Sequence, residues 1–428
     1  MESSLRHLSG WARFAYRVLV LWALLLTLDV GAADAQTRTL HFLAPGFPAE
    51  LVSLLEKEIL PEFEELYDVD VTIEPVDWGA RTDRIAILVA SGLPPDLVGT
   101  GYYSPYQEGA SGLLAPLDKY IGEWEHTRAI PDPVWETQRW QGQVMAVPLW
   151  FDLRAIAYNK ALFAEAGLDP NRPPQSWEEL LEAIHLLTRF NASGDAVEVR
   201  GITFWGAAQE MLTWIHQTGV PPVVLEEFRS YLNTPQAIDA ARFFVEMIRT
   251  SRPEFPLAGG GFENGAIAMT TTSPASVKTW FESMGESFLS QVGLFAPRRS
   301  PAENPVVVGF INGIAMTNAS PNKDLAWKLI EYLMSDDVLI QIQQATGWMT
   351  PRTDLAGEFD APYLDLYYPL VTHIKASQLP PPRNESQDGL DAIMNRAINN
   401  EISPEQAMLE GHELWQRLLN EWKAELGK

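Results

Sequence analysis

The chain has no cysteine. That excludes disulfides, thiolate zinc sites, cysteine nucleophiles and lipids attached through sulfur. Positive charge is scarce. Against 56 Asp and Glu stand 31 Lys and Arg, a formal net charge of −25. A field of that sign repels nucleic acid and anionic membranes, and no basic stretch offsets it. Catalytic signatures are missing too. There is no G-x-S-x-G, no phosphate loop, no H-E-x-x-H and no G-x-G-x-x-G after a strand. Gly259-Gly260-Gly261 lacks the Lys and Ser/Thr of a phosphate loop and reads as a turn. The seven histidines show no ligand spacing. The expectation is therefore no catalytic residue, no metal and no organic cofactor. Carboxylates are too abundant for any one pair to signal a glycosidase.

Long hydrophobic runs are equally rare. Val18 to Leu28 (VLVLWALLLTL) is shorter than the ~20 residues a bilayer needs. Arg6, Arg13 and Arg17 precede it and Ala33-Asp34-Ala35 follows it. That is a secretory signal peptide over residues 1–35, cleaved after Ala35. The competing reading is an uncleaved anchor, but Asp29 and Asp34 break the apolar run early. A cleavage site without Cys predicts a free periplasmic protein. The 428 residues are 46% hydrophobic and 20% charged. That is globular composition, and about 150 residues per domain suggests two or three domains.

Elements alternate at the start of the mature chain. Thr39 to Leu43 is a short strand. Val52, Leu55 and Ile59 share a helical face. Asp68 to Glu74 (DVDVTIE) alternates as a strand. Arg81 to Ala90 reads as a helix, and Asp96 to Gly99 as a buried strand. This is the pattern of an α/β sheet with crossovers. Ser176 and Glu179 form a capping box. Ser320-Pro321 and Ser403-Pro404 each place a cap and a first-turn proline before a helix. Glu56 to Glu65 reads as a solvated helix face. Gly- or Pro-rich loops are expected at 251–265, 297–305 and 379–389.

The informative excess is aromatic. Of 15 tryptophans, only Trp11 and Trp22 fall in the leader. Trp78, Tyr102 and Tyr103 follow strands, where open α/β sheets bind ligands. Trp150 precedes Asp152, Trp205 follows a short apolar run, and Trp348 sits in a Gly-Trp-Met turn. Flat rings cover the C–H face of a sugar while carboxylates and amides take its hydroxyls. Any one of these rings fits a core position as well. Trp327, Trp415 and Trp422 lie on helical faces and read as core or interface.

Several motifs then agree. Ser91-Gly92-Leu93-Pro94-Pro95-Asp96 and Ser111-Gly112-Leu113-Leu114-Ala115-Pro116-Leu117 come first. Gly142 to Pro148 precedes Tyr158-Asn159-Lys160-Ala161-Leu162-Phe163. Pro173 to Leu180 (PPQSWEEL), Phe262 to Met269 (FENGAIAM) and Ala319 to Lys323 (ASPNK) follow in order. Together they resemble the extracellular solute-binding proteins of bacterial ABC importers, in the sugar-binding class that includes maltose-binding protein. The resemblance covers essentially all of the mature chain. It implies an α/β, two-lobed periplasmic-binding-protein fold (type II), each lobe a central sheet flanked by helices, with a hinge between. The lobes would be 36–149 plus 313–350, and 150–312 plus 351–428. The chain would cross near Leu149 to Asp152, near Val308 to Gly313 and near Met349 to Arg352.

The resemblance also implies ligand contacts. Gly46 and Phe47 stand in the loop after the first strand, Trp78 after the second, and Gly101 to Tyr103 in the loop after the third. Asp152 precedes Tyr158 by six residues, the family spacing of a sugar-binding carboxylate. Gln209 and Glu210 match a polar loop of the second lobe. Ser273-Pro274-Ala275 stands where many members read G-P-W, so Ala275 lacks the stacking ring. The loop of Tyr102 lacks the acidic residue found in maltose-binding protein. The sugar or its pose therefore differs. With Trp150, Trp205, Asn312 and Trp348, these complete the candidate site. The implied function is capture of a carbohydrate by a monomer and its delivery to a membrane permease. Two alternatives stand beside it: a secreted carbohydrate-active enzyme, and a binder of a charged or phosphorylated polyol. For the last, Arg81, Arg84, Arg154 and Arg383 are possible cations, each as readily a surface residue.

Overall fold

A computed structural model describes residues 38–428 apart from residues 302, 360 and 377. The signal peptide over 1–35, with its cleavage after Ala35, lies outside the described residues. No helix among the described residues is long and apolar enough to cross a membrane.

Apolar alternation makes the first strands. Arg38–Pro45 (β1) pairs in parallel with Val69–Val76 (β2), Phe42 opposite Ile73. Leu97–Thr100 (β3) lies on the other side of β1 and is buried throughout. Parallel strands need a crossover, and the helix Arg81–Ala90 supplies it between β2 and β3, on either side of β1.

Val147–Leu153 (β4) belongs to this first sheet, whereas Ala155–Asn159 (β5) is the centre of a second. Only Arg154 separates them. Met269–Thr272 (β6) and Val292–Phe295 (β7) flank β5, both antiparallel. The chain then returns along Val307–Met316 (β8), antiparallel to β4 from Gly309↔Leu153 to Ile314↔Val147. The end of β8 pairs with β3, and its start pairs with Ile374–Ala376 (β9). The chain comes beside β4 once more at Met349, whose carbonyl accepts from the Phe151 amide at 2.9 Å.

Each sheet has its own apolar mass. Phe42, Phe63, Trp327, Met349 and Tyr367 belong to the first. Trp177, Trp214, Phe243 and Trp415 belong to the second, where Trp177 stacks on Phe243 at 4.4 Å. The second cluster reaches across to Tyr102 and Trp140, and Trp140 packs on Trp422 at 5.7 Å. Trp327, Trp415 and Trp422 are buried, as their helical spacing predicts.

Helix starts follow side-chain caps. Ser176 Oγ accepts from the Glu179 amide (3.1 Å), and Ser403 Oγ from the Gln406 amide (3.0 Å). Ser320 behaves differently. Its hydroxyl donates to Asp96, and it accepts from the Asn322 amide (3.0 Å). The helix therefore runs over Lys323–Leu333, later than Ser320-Pro321 predicts. The loop expected at 379–389 is also shorter. Helix Arg383–Ile398 begins directly after Pro382, a residue tolerated at a helix start because it lacks an N–H.

The four arginines separate by environment. Arg81 is fully buried, contrary to a surface role. Its Nε donates to the Gly99 carbonyl (2.9 Å) and its Nη2 to Glu108 Oε2 (2.9 Å). This fastens the crossover helix to the end of β3. Arg84 pairs with Glu74 near the surface. Replacing Glu108 by Gln leaves the Arg81 charge buried without a counter-ion. Urea unfolding followed by tryptophan fluorescence should show a loss of about 3–5 kcal/mol. A loss below about 1 kcal/mol, the size of an exposed pair, contradicts this role.

Candidate functional site

Strand alternation aims the central residues. Side chains two apart share a face, so Trp150 and Asp152 of β4 point the same way, with Phe310 and Asn312 opposite them on β8. A cavity of 300 Å³ opens over this face. Asp152, Phe310 and Asn312 form its floor, with Arg154 beside them at the passage between sheets. Trp78, Tyr102 and Tyr103 close one side, from loops after β2 and β3. Gln209 and Arg383 close the other, from helices packed on the second sheet's side.

Two glycines make room for the rings. Gly46 has φ +67°, and a Cβ there would lie 2.0 Å from Trp78 Nε1. A Cβ on Gly101 would lie 2.8 Å from the Tyr103 ring. No side chain at either position leaves Trp78 and Tyr103 where they are. Tyr102 packs edge-on against Phe310 (4.8 Å) and Tyr103 (5.5 Å).

The polar groups form two sets. Arg154 Nη2 donates to Asp152 Oδ2 at 2.5 Å. The Arg154 guanidinium also lies 3.9 Å from the Trp205 ring centre and 4.9 Å from that of Phe310. Across the cavity, the Tyr102 hydroxyl accepts from Arg383 Nε (2.9 Å) and from Gln209 Nε2 (3.3 Å). These bonds join a loop after β3 to two helices of the other lobe. A second hollow of 460 Å³ shares Trp78, Tyr103 and Arg383 and continues toward Trp422.

Not all the candidate residues meet here. Phe47, Trp150 and Trp348 pack on one another: Trp150 stacks on Trp348 at 4.1 Å and 12°, and Phe47 meets Trp150 edge-on at 5.4 Å. They stand beside the floor and do not line the 300 Å³ cavity. Trp205 is 49% exposed and borders a separate hollow with Asp391. Ser273 is buried as the cap of helix Pro274–Met284. Phe310 was not anticipated. Its signal is the two-residue offset from Asn312 on a crossover strand. Arg154 and Arg383, named only as candidate cations, both line the cavity.

Glu210 follows Gln209 on helix Ala207–His216. Burial pushes its carboxyl up to about 7, against the pull of Arg154, and the Asp152 charge adds to the rise.

Residues 48–339 match the family described as Bacterial extracellular solute-binding protein. The chain belongs to that family. Its members are binding proteins rather than enzymes, exported to the cell exterior or periplasm. The chain is similar to a putative binding protein of Brucella abortus (strain 2308), 23% identical over 310 residues, covering 68% of this chain and 71% of that relative. It is 21% identical over 299 residues to the erythritol/L-threitol-binding protein of Mycolicibacterium smegmatis, covering 64% and 62%. In fold it resembles the sugar-binding protein MalE of Xanthomonas citri, with a TM-score of 0.78, 19% identity and coverage of 91% and 99%. The two-lobed architecture implied by the motifs is the one found.

Glu210 gives the binding protein a pH signature. From the ordinary carboxylate range up to about 7, the folded chain holds a proton that the unfolded chain has lost. Stability therefore falls as pH rises through that window, by up to ~1.4 kcal/mol per pH unit. Glu210→Gln mimics the protonated form. Its gain in melting temperature over the parent should be larger at pH 8 than at pH 5. An equal shift at both pH values contradicts the raised carboxyl.

Proposed function

We propose that this protein captures a sugar or sugar derivative between its lobes in the periplasm and delivers it, as a monomer, to the membrane permease of an ABC importer. Export would follow cleavage after Ala35. The observation that supports this most is the composition of the 300 Å³ cavity, where aromatic rings face a carboxylate and amides across a passage between two sheets. Rings suit the C–H face of a polyhydroxylated solute, and Asp152, Asn312 and Gln209 suit its hydroxyls. The Mycolicibacterium relative is named for two tetritols and the Xanthomonas structure for sugar binding, which is the same chemistry.

In this reading Trp78, Tyr102, Tyr103, Asp152, Gln209 and Asn312 touch ligand. Phe47, Trp150 and Trp348 form the stack that holds the floor, while Trp205 and Ser273 stand at the margins. The lobes keep the bounds expected from the motifs, 36–149 plus 313–350 and 150–312 plus 351–428, except that residues 150–153, 307–312 and 363–376 go with the first sheet and its core, and they turn about Arg154.

A thermal-shift screen over mono-, di- and oligosaccharides and sugar alcohols tests the proposal. The screen includes their uronic-acid and phosphate derivatives, and at least one compound should raise the melting temperature and remain unconverted after prolonged incubation. Turnover of that compound, or no response across the screen, contradicts the reading. Asp152→Asn should weaken the identified ligand roughly ten- to a hundredfold, the worth of a charge-assisted bond. It should leave the ligand-free melting temperature nearly unchanged, because the Asp152–Arg154 pair is partly exposed. A lower melting temperature with unchanged affinity assigns Asp152 to the ion pair alone.

A further inference from the structure

We propose that the cleft ligand carries an anionic group, a carboxylate or a phosphate, seated on Arg383 and the Tyr102 hydroxyl. This rests on the cleft being the ligand site, and it adds the charge of the ligand to that reading.

Three charged side chains line the 300 Å³ cavity: Asp152, Arg154 and Arg383. Asp152 and Arg154 neutralise each other at 2.5 Å. Arg383 has no carboxylate partner among the described residues. Its Nε donates to the Tyr102 hydroxyl (2.9 Å) and its Nη1 to Asn384 Oδ1 (3.3 Å), while Nη2 meets no acceptor among the described residues. In a chain of net charge −25, the cleft thus keeps a cation with no acid beside it. The acids of the neighbouring 460 Å³ hollow do not fill that place. Glu421 is held by Arg417 at 3.1 Å, and Glu425 stands exposed.

The Tyr102 hydroxyl adds to this. A phenol oxygen accepts and donates. Its accepting side is occupied twice, by Arg383 Nε and by Gln209 Nε2. Its own proton meets no acceptor among the described residues and is left to donate. Two adjacent donors, one of them charged, therefore face a cavity with no acceptor directed at them. A neutral hydroxyl satisfies one of them. A carboxylate or phosphate satisfies both and balances the charge, in the geometry that guanidinium groups favour. The site is also held in place beforehand. The Arg383 guanidinium carbon lies 5.6 Å from the Tyr102 ring centre and 5.5 Å from that of Tyr103. Gln209 is fixed in turn by Gln387 (3.1 Å). Arg383 opens the helix Arg383–Ile398, whose positive end adds to the same field.

The test is calorimetry with probes that differ only in charge: D-glucose, D-glucuronate and D-glucose 6-phosphate, D-galactose and D-galacturonate, and glycerol and glycerol phosphate. At least one acidic probe should bind about tenfold or more tightly than its neutral parent, and high salt should reduce that advantage. The uronates and the phosphates separate the two sources of charge. Arg383→Met should weaken the preferred anion roughly ten- to a hundredfold while changing its neutral parent by less than about threefold. Tyr102→Phe should weaken the anion without altering the salt dependence, since the charge remains. Neutral probes that bind as tightly as their acidic counterparts overturn this proposal alone. So does an anion preference that survives Arg383→Met. A set in which nothing binds counts against the cleft as a carbohydrate site, and this proposal falls with it.

Discussion

The antiparallel pairing of β4 with β8 is the constraint on which the site depends. Both strands lie in the first sheet, with β4 leading through Arg154 into the second, and their register runs from Leu153↔Gly309 to Val147↔Ile314. Once that register is set, alternation alone decides what faces the cleft. Asp152 comes up on one strand, and Phe310 and Asn312 on its neighbour; Trp150 shares that face but is drawn off the cavity onto Trp348. A one-residue slip of either strand would turn its own polar residue, Asp152 or Asn312, to the sheet's other face and take it from the cavity floor. The stacked pair Trp150 and Trp348, with Phe47 against it, packs beside that floor and ties it to the first core.

Electrostatics then sorts the arginines by what stands beside them. Arg81 is enclosed, with a carbonyl and a carboxylate to satisfy it, and its work is structural. Arg154 is balanced by Asp152 and lies 3.9 Å from the Trp205 ring centre, so it brings little net charge to the passage between sheets. Arg383 lies 5.6 and 5.5 Å from two tyrosine ring centres and pairs with no acid among the described residues. The same residue type therefore fastens a helix, fills a hinge and faces a ligand space. The difference lies in the neighbouring carboxylates and not in the arginine.

Much of the fold is legible in the sequence where the signal is local. The alternation of Asp68 to Glu74, the helix Arg81–Ala90 and the caps Ser176 and Ser403 need only neighbours in the chain. Ser320 shows where local signals stop. Its hydroxyl is claimed by Asp96, which is distant in sequence, and the helix start moves. The site follows the same rule. Trp78, Tyr102 and Tyr103 are expected at a cleft because they follow strands, and all three line the cavity. Trp150 and Trp348 are not separable from them by composition, because what keeps them off the cavity is their stack on each other. Phe310 is an ordinary apolar residue in a strand until β4 fixes its face.

The central claim is that two lobes joined through Arg154 and β8 close on a solute held between them. Small-angle scattering on the mature protein, with and without a saturating compound found by screening, tests this most directly. Hinge closure predicts a smaller radius of gyration with the compound bound. An unchanged radius at proven saturation would contradict it, and the cleft would then be a rigid pocket rather than a trap.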